Sequence, residues 1–234
     1  MTRDTGSLEL AHARIAARWG SRPDDALWRR IEATHELAAV LTLARASSLS
    51  RWLGGIDAGT GLHIIERLLR ERWRQRVNEV AAWMPMPWQP ALHWCAELIE
   101  LPGEQPWAGD PARSVRHAPE AGAGDKDAEE AAALLARWLA RWRRLLPHDG
   151  GRETLERTLV PLLEAHRRAF AAPHTADGWA LRRELQAKLV ALLRRHAAEP
   201  VAAFVYLALC ALELERLRGE ITRRAAFPTR ELAA

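Results

Sequence analysis

Between Leu62 and Trp83 the apolar residues Leu62, Ile65, Leu69, Trp73, Val77 and Val80 recur every three or four positions. That spacing is one face of an α-helix; a strand would place alternate residues on opposite faces. The stripe returns in Leu134, Leu135, Trp138, Leu139, Trp142 and Leu145, wide enough to face a core. No useful length of chain alternates with period two, so no sheet is expected. The good helix formers Ala, Leu, Arg and Glu dominate, and only two lysines occur, Lys126 and Lys188. The fold expected is all-α.

Proline, glycine and short polar side chains divide the helices. A first helix is expected over Leu8–Trp19, ended by Gly20, and Pro23, Asp24 and Asp25 open the next. Residues 25–45 read as helix broken near Thr34, which would cap the second piece. Residues 46–61 form a turn region around a short helical piece, and Thr60 would cap the long helix that ends at Trp83. "MPMPWQP" (84–90) breaks that helix, because proline lacks the N–H and restricts the residue before it. A short helix over 91–100 follows.

Residues 101–126 are rich in Pro, Gly and Ala and carry no stripe, which reads as a linker or mobile loop. It separates an N-terminal helical unit, 1–100, from a C-terminal helical unit, 127–234. The second unit is expected to hold helices over 127–146, 153–170 (with Pro161 inside), 179–197 and Pro200–Ala226.

Charge and length bound the surroundings. The net charge of +4 and pI near 9.8 come from arginine. That balance suits an acidic partner or an anionic surface as well as it suits nucleic acid. Cys95 and Cys210 lie in apolar helical contexts and are expected to be buried thiols. The longest apolar run, "PVAAFVYLALCAL" (200–212), is well short of the ~20 residues that span a bilayer. The opening "MTRDTGSLEL" lacks the apolar centre of a leader. A cytoplasmic chain is expected.

The final helix raises a question of its own. Behind its apolar run stand Glu213, Glu215, Arg216, Arg218, Glu220, Arg223 and Arg224. An offset of 144 aligns this stretch with "ERWRQRVNEVAAW" (71–83): Glu71 meets Glu215, Arg72 meets Arg216, Trp73 meets Leu217, Arg74 meets Arg218, and Val77 meets Ile221. The match suggests two related units, each closed by a long helix. The ordinary meaning of such charges is a solvated face whose Glu–Arg pairs add ~0.2–0.5 kcal/mol each. The functional meaning is a surface that receives a partner.

The stretch "FVYLALCALELERLRGEITRRAAFP" (204–228) resembles the C-terminal helix of the C/d family of socket proteins in V-type and A-type rotary ATPases. The matching residues are Tyr206, Leu207, Glu213, Glu215, Leu217 and Arg218, after a Pro-containing turn at Glu199–Pro200. "AHARIAAR" (11–18) is similar to that family's N-terminal stretch through Ala13, Arg14 and Ile15. The family is all-helical, with three units around a central funnel; two units are legible here. The resemblance implies a non-catalytic socket that couples the central stalk to the membrane ring in proton or sodium transport. It would sit on the inner face of the membrane, with stalk and ring subunits as partners. The interface residues it points to are Glu71, Arg72, Arg74, Tyr206, Glu213, Glu215, Arg216 and Arg218.

Other chemistries find less footing. No phosphate-binding G-x-x-x-x-G-K-[ST] loop occurs. His63 with Glu66, and His93 with Glu97, each share a helix face, but a metal needs three or four converging ligands. No cofactor, metal or catalytic residue is expected. Trp138 and Trp142 are expected in the core. Trp83, Trp88 and Trp94 read as the closure of the N-terminal unit, with an exposed interface platform as the alternative. The alternative function is a helical adaptor or regulator that binds nucleic acid or protein through Arg67, Arg70, Arg72, Arg74 and Arg76.

Overall fold

The computed structural model describes residues 2–100, 123–170 and 178–227. Among them are nine α-helices and no strand: α1 (Thr2–Gly20), α2 (Asp25–Ala33), α3 (Leu37–Arg45), α4 (Leu62–Trp83), α5 (Gln89–Trp94), α6 (Ala123–Leu145), α7 (Gly150–Phe170), α8 (Gly178–Arg195) and α9 (Val201–Ala226). Short 3-10 segments lie at Ser48–Trp52, Met86–Trp88 and Cys95–Glu100. The chain is all-α. The linker expected over 101–126 falls outside the described residues except for Ala123–Lys126, which begin α6.

Local chemistry explains most of the boundaries. Asp24 caps α2 by accepting from the Leu27 N–H at 2.7 Å. Thr34 does not open α3: its N–H donates to Ile31 O and its hydroxyl to Arg30 O at 2.7 Å, so it closes α2. The residue before α3 is Glu36, which makes no side-chain cap. Thr60 is likewise no cap for α4, since its hydroxyl accepts from the Asp57 N–H and bonds the Asp57 carboxylate, both at 2.9 Å. Gly61 holds the cap position with no side chain to offer. Gly55 takes φ +79°, the left-handed region that glycine enters without strain.

The core is built around α9. Val201 to Leu207 are all buried, so this end of the helix is apolar all round and enclosed all round. Past Cys210 the buried positions thin to Leu214, Leu217, Arg218, Ile221 and Arg224, a stripe of one face. α9 packs against α1, α3, α4, α7 and α8. One continuous apolar cluster joins Ile65, Leu69, Trp73 and Val77 of α4 to Trp138 and Trp142 of α6, Leu155 and Leu159 of α7, Leu189 of α8, and α9. The core therefore runs across the segments before and after residue 100.

Tryptophans make much of that junction. Trp94 stacks on Trp138 (6.4 Å between centroids), Trp138 on Trp142 (6.0 Å), and Trp142 meets Phe204 edge-on (5.6 Å). Trp88 also meets Phe204 edge-on, at 6.0 Å, and Trp83 lies 6.5 Å from Tyr206. Trp138 and Trp142 are core residues, as expected. Trp83 and Trp88 are buried and Trp94 half-buried, so they form no exposed platform. Trp88 and Trp94 reach across to α9 and α6 rather than closing the first unit on itself.

Candidate functional site

The residues singled out by the sequence lie on α4 and α9, and α9 shows why it carries so much charge. Glu213 accepts from the Trp52 indole N–H at 2.7 Å and pairs with Arg51. Glu215 receives Arg182 of α8, through Nε at 2.9 Å and also through Nη2. Arg216 donates to Glu32 of α2 at 2.5 and 3.1 Å, with its guanidinium 4.4 Å from the centre of the Trp28 ring. Arg218 donates to Glu66 of α4 at 2.6 and 2.7 Å. Arg224, buried, donates to the backbone carbonyls of Ile31 (2.9 Å), Glu32 (3.3 Å) and Thr34 (2.8 Å) and to Glu220 (2.5 Å). Those carbonyls end α2, where a helix leaves acceptors unsatisfied. The charges of α9 thus bind it to α2, α4, α8 and the 3-10 segment at Ser48–Trp52.

The α4 residues differ. Arg72 donates to Gly54 O at 3.1 Å and to Gln75 at 2.8 Å, and its guanidinium fills the space a side chain at position 54 would need. Glu71 and Arg74 are exposed. Tyr206 is 2% exposed, deep in the core. Of the eight candidate interface residues, only Glu71 and Arg74 are exposed on the surface; the structure does not gather the eight into one face. The 144-residue offset keeps its apolar register: Ile65 and Leu209, Trp73 and Leu217, and Val77 and Ile221 are all buried. Its charged pairs diverge, since Arg218 is buried where Arg74 is exposed.

The Arg67–Arg76 stripe is also divided. Arg76 is 6% exposed and donates to Glu79 at 2.5 Å, Arg70 is half-buried, and Arg67 and Arg74 are exposed. No single face presents all five to a phosphate backbone.

Burial sets the reactivity of the thiols. It pushes both Cys95 and Cys210 up to about 12, with Glu213 adding to the effect at Cys210. Both remain protonated at neutral pH, whereas a nucleophilic cysteine needs the thiolate. Burial, the largest single influence, pulls Arg51 down, but the charge and hydrogen bond of Glu213 together with Cys210 and Tyr206 outweigh it and the net shift is upward. At Arg218 burial prevails over the Glu66 bond and the net shift is downward. Tyr206 Oη, Arg51 Nε and Arg76 Nε are buried and find no hydrogen-bond partner among the described residues. Also among the described residues, no three His, Cys, Asp or Glu side chains stand close enough to hold a metal, and no helix is long and apolar enough to cross a membrane.

Sequence reasoning missed Arg51, Trp52, Glu32, Arg182 and the role of Arg224. It also missed a shallow cleft between α1 and α4, lined by Arg14, Ala17, Arg18, Glu79 and Trp83. Compared with protein-family models, curated proteins and solved structures, the chain matches none.

Proposed function

We propose that this protein is a non-catalytic docking and coupling part, the socket of a V-type or A-type rotary ATPase or ATP synthase. It would link the central stalk to the membrane ring in proton or sodium transport, held peripherally at the inner membrane face. The observation that carries the reading is the place of the resembling residues. Tyr206, Leu207, Glu213, Glu215, Leu217 and Arg218 all lie on α9, which is bonded to the surrounding helices through Arg51, Arg182, Glu32 and Glu66. A coupling part must pass force without deforming, and a central helix clamped on several sides suits that role. Because Glu213, Glu215, Arg216 and Arg218 are engaged inside the molecule, partner contact would fall to exposed residues such as Glu71 and Arg74.

The test is recovery of the tagged protein from its native membranes, beside a Glu71→Lys/Arg74→Glu variant. Stalk and ring subunits should accompany the unaltered protein and be depleted with the variant. Recovery of nucleic acid or a soluble regulator, with no part of an ATPase, would replace this reading with the adaptor.

A further inference from the structure

The cleft between α1 and α4 combines an aromatic wall with more positive than negative charge. Trp83 forms the wall, and the Arg14 guanidinium lies 5.9 Å from the centre of its ring. Among the described residues Glu79 is the one carboxylate lining the cleft, and it is already bound twice: Arg18 donates to its Oε1 at 3.1 Å, and Arg76 to its Oε2 at 2.5 Å. Arg14 makes no ion pair with any described residue; stacking on Trp83 is the interaction it has. Its charge is therefore oriented by the ring and left without a counter-charge among the described residues, none of which takes up its donors.

The size of the cleft limits what it can hold. Its volume is about 390 Å3, near the low end of ligand pockets at ~300–1,000 Å3. It is shallow and open, so it cannot enclose most of a small molecule as such pockets do. An open trough between two helices suits a length of chain lying along it, with an acidic side chain reaching the exposed Arg14 beside the narrow edge of Trp83 that remains uncovered, 8% of that residue. We infer that the α1–α4 cleft is a docking site for an acidic peptide segment of a partner protein, with Arg14 as the residue that selects its carboxylate. The inference rests on reading the protein as a docking module and adds what the partner presents.

The probe is a fluorescein-labelled peptide of alternating Glu and Leu, titrated by polarisation against the purified full chain. Arg14→Glu is compared with Arg67→Glu, which alters an exposed arginine of α4 outside the cleft and changes the net charge equally. Arg14→Glu should weaken binding at least about fivefold, as loss of a charge-assisted hydrogen bond does, and Arg67→Glu by less than about twofold. A peptide with Lys in place of Glu should not bind. Equal losses in the two variants would reduce the effect to general electrostatics and overturn the site, as would no binding by the unaltered chain. The assay uses the purified chain alone, so its failure leaves the membrane co-purification result standing, and the reverse holds too.

Discussion

The Glu213 carboxylate is 11% exposed and bonded to Arg51 and Trp52, so removing it strands a guanidinium that is itself 13% exposed. Breaking a buried pair from one side costs more than the pair contributes, because the remaining charge stays desolvated. Glu213→Leu should therefore lose about 3 kcal/mol in urea unfolding, and Glu213→Leu/Arg51→Met should be more stable than that single variant. Additive losses would mean the two side chains are not coupled. The cysteines give a second test at this scale. Buried and held protonated, Cys95 and Cys210 should resist a thiol reagent at pH 8 in the native protein, and both should react after unfolding.

At the scale of elements, one side chain joins α9 to the α2–α3 corner. Arg224→Ala would leave the carbonyls of Glu32 and Thr34 without their donor and Ile31 O with the Thr34 N–H alone, and should cost roughly 2–3 kcal/mol. Amide exchange should accelerate first across residues 31–40, ahead of the rest of the molecule. The α7–α8–α9 contact carries a pH dependence. Burial, then the charge of Arg182, lowers the His166 pKa below its ordinary 6.5, with Glu215 and Glu184 opposing and Lys188 adding. A lowered pKa means the unfolded chain takes up the proton first. The contribution is thus intact above about pH 6.5 and is lost as the pH falls through the lower folded value. His166→Gln should flatten the stability–pH curve in that window and leave it unchanged at pH 8.

Helix existence was legible in the sequence because its signal is local. The stripes at Leu62–Val80 and Leu134–Leu145, and the burial of Trp138, Trp142 and both cysteines, follow from spacing within a few turns. Thr34 and Thr60 fall two residues and one residue short of the observed cap positions, Glu36 and Gly61, because a hydroxyl beside a helix end can serve either side of it. The partners of α9 were not legible. Arg51 with Glu213, Arg218 with Glu66 and Arg216 with Glu32 lie 162, 152 and 184 residues apart, and no local pattern pairs them. A run of charge behind an apolar segment looks the same whether it faces water or a ring of opposite charges.

At the scale of the whole molecule, α9 runs through the centre of a core walled by α1, α3, α4, α7 and α8. Residues 1–100 alone would expose Ile65, Leu69, Trp73 and Val77 wherever α9 now covers α4, and would leave Arg51, Glu32 and Glu66 without their partners. Losing a shared apolar face removes ~25 cal/mol for each Å2 left exposed, and a domain's net stability is only ~5–15 kcal/mol. The most direct measurement is therefore urea unfolding of the separately expressed segment 1–100, followed by circular dichroism beside the full chain. A core organised around α9 predicts a helix-poor segment with no cooperative transition, against a single transition for the whole. A sharp transition in the isolated segment, at the full chain's midpoint, would contradict it and show two units that fold apart.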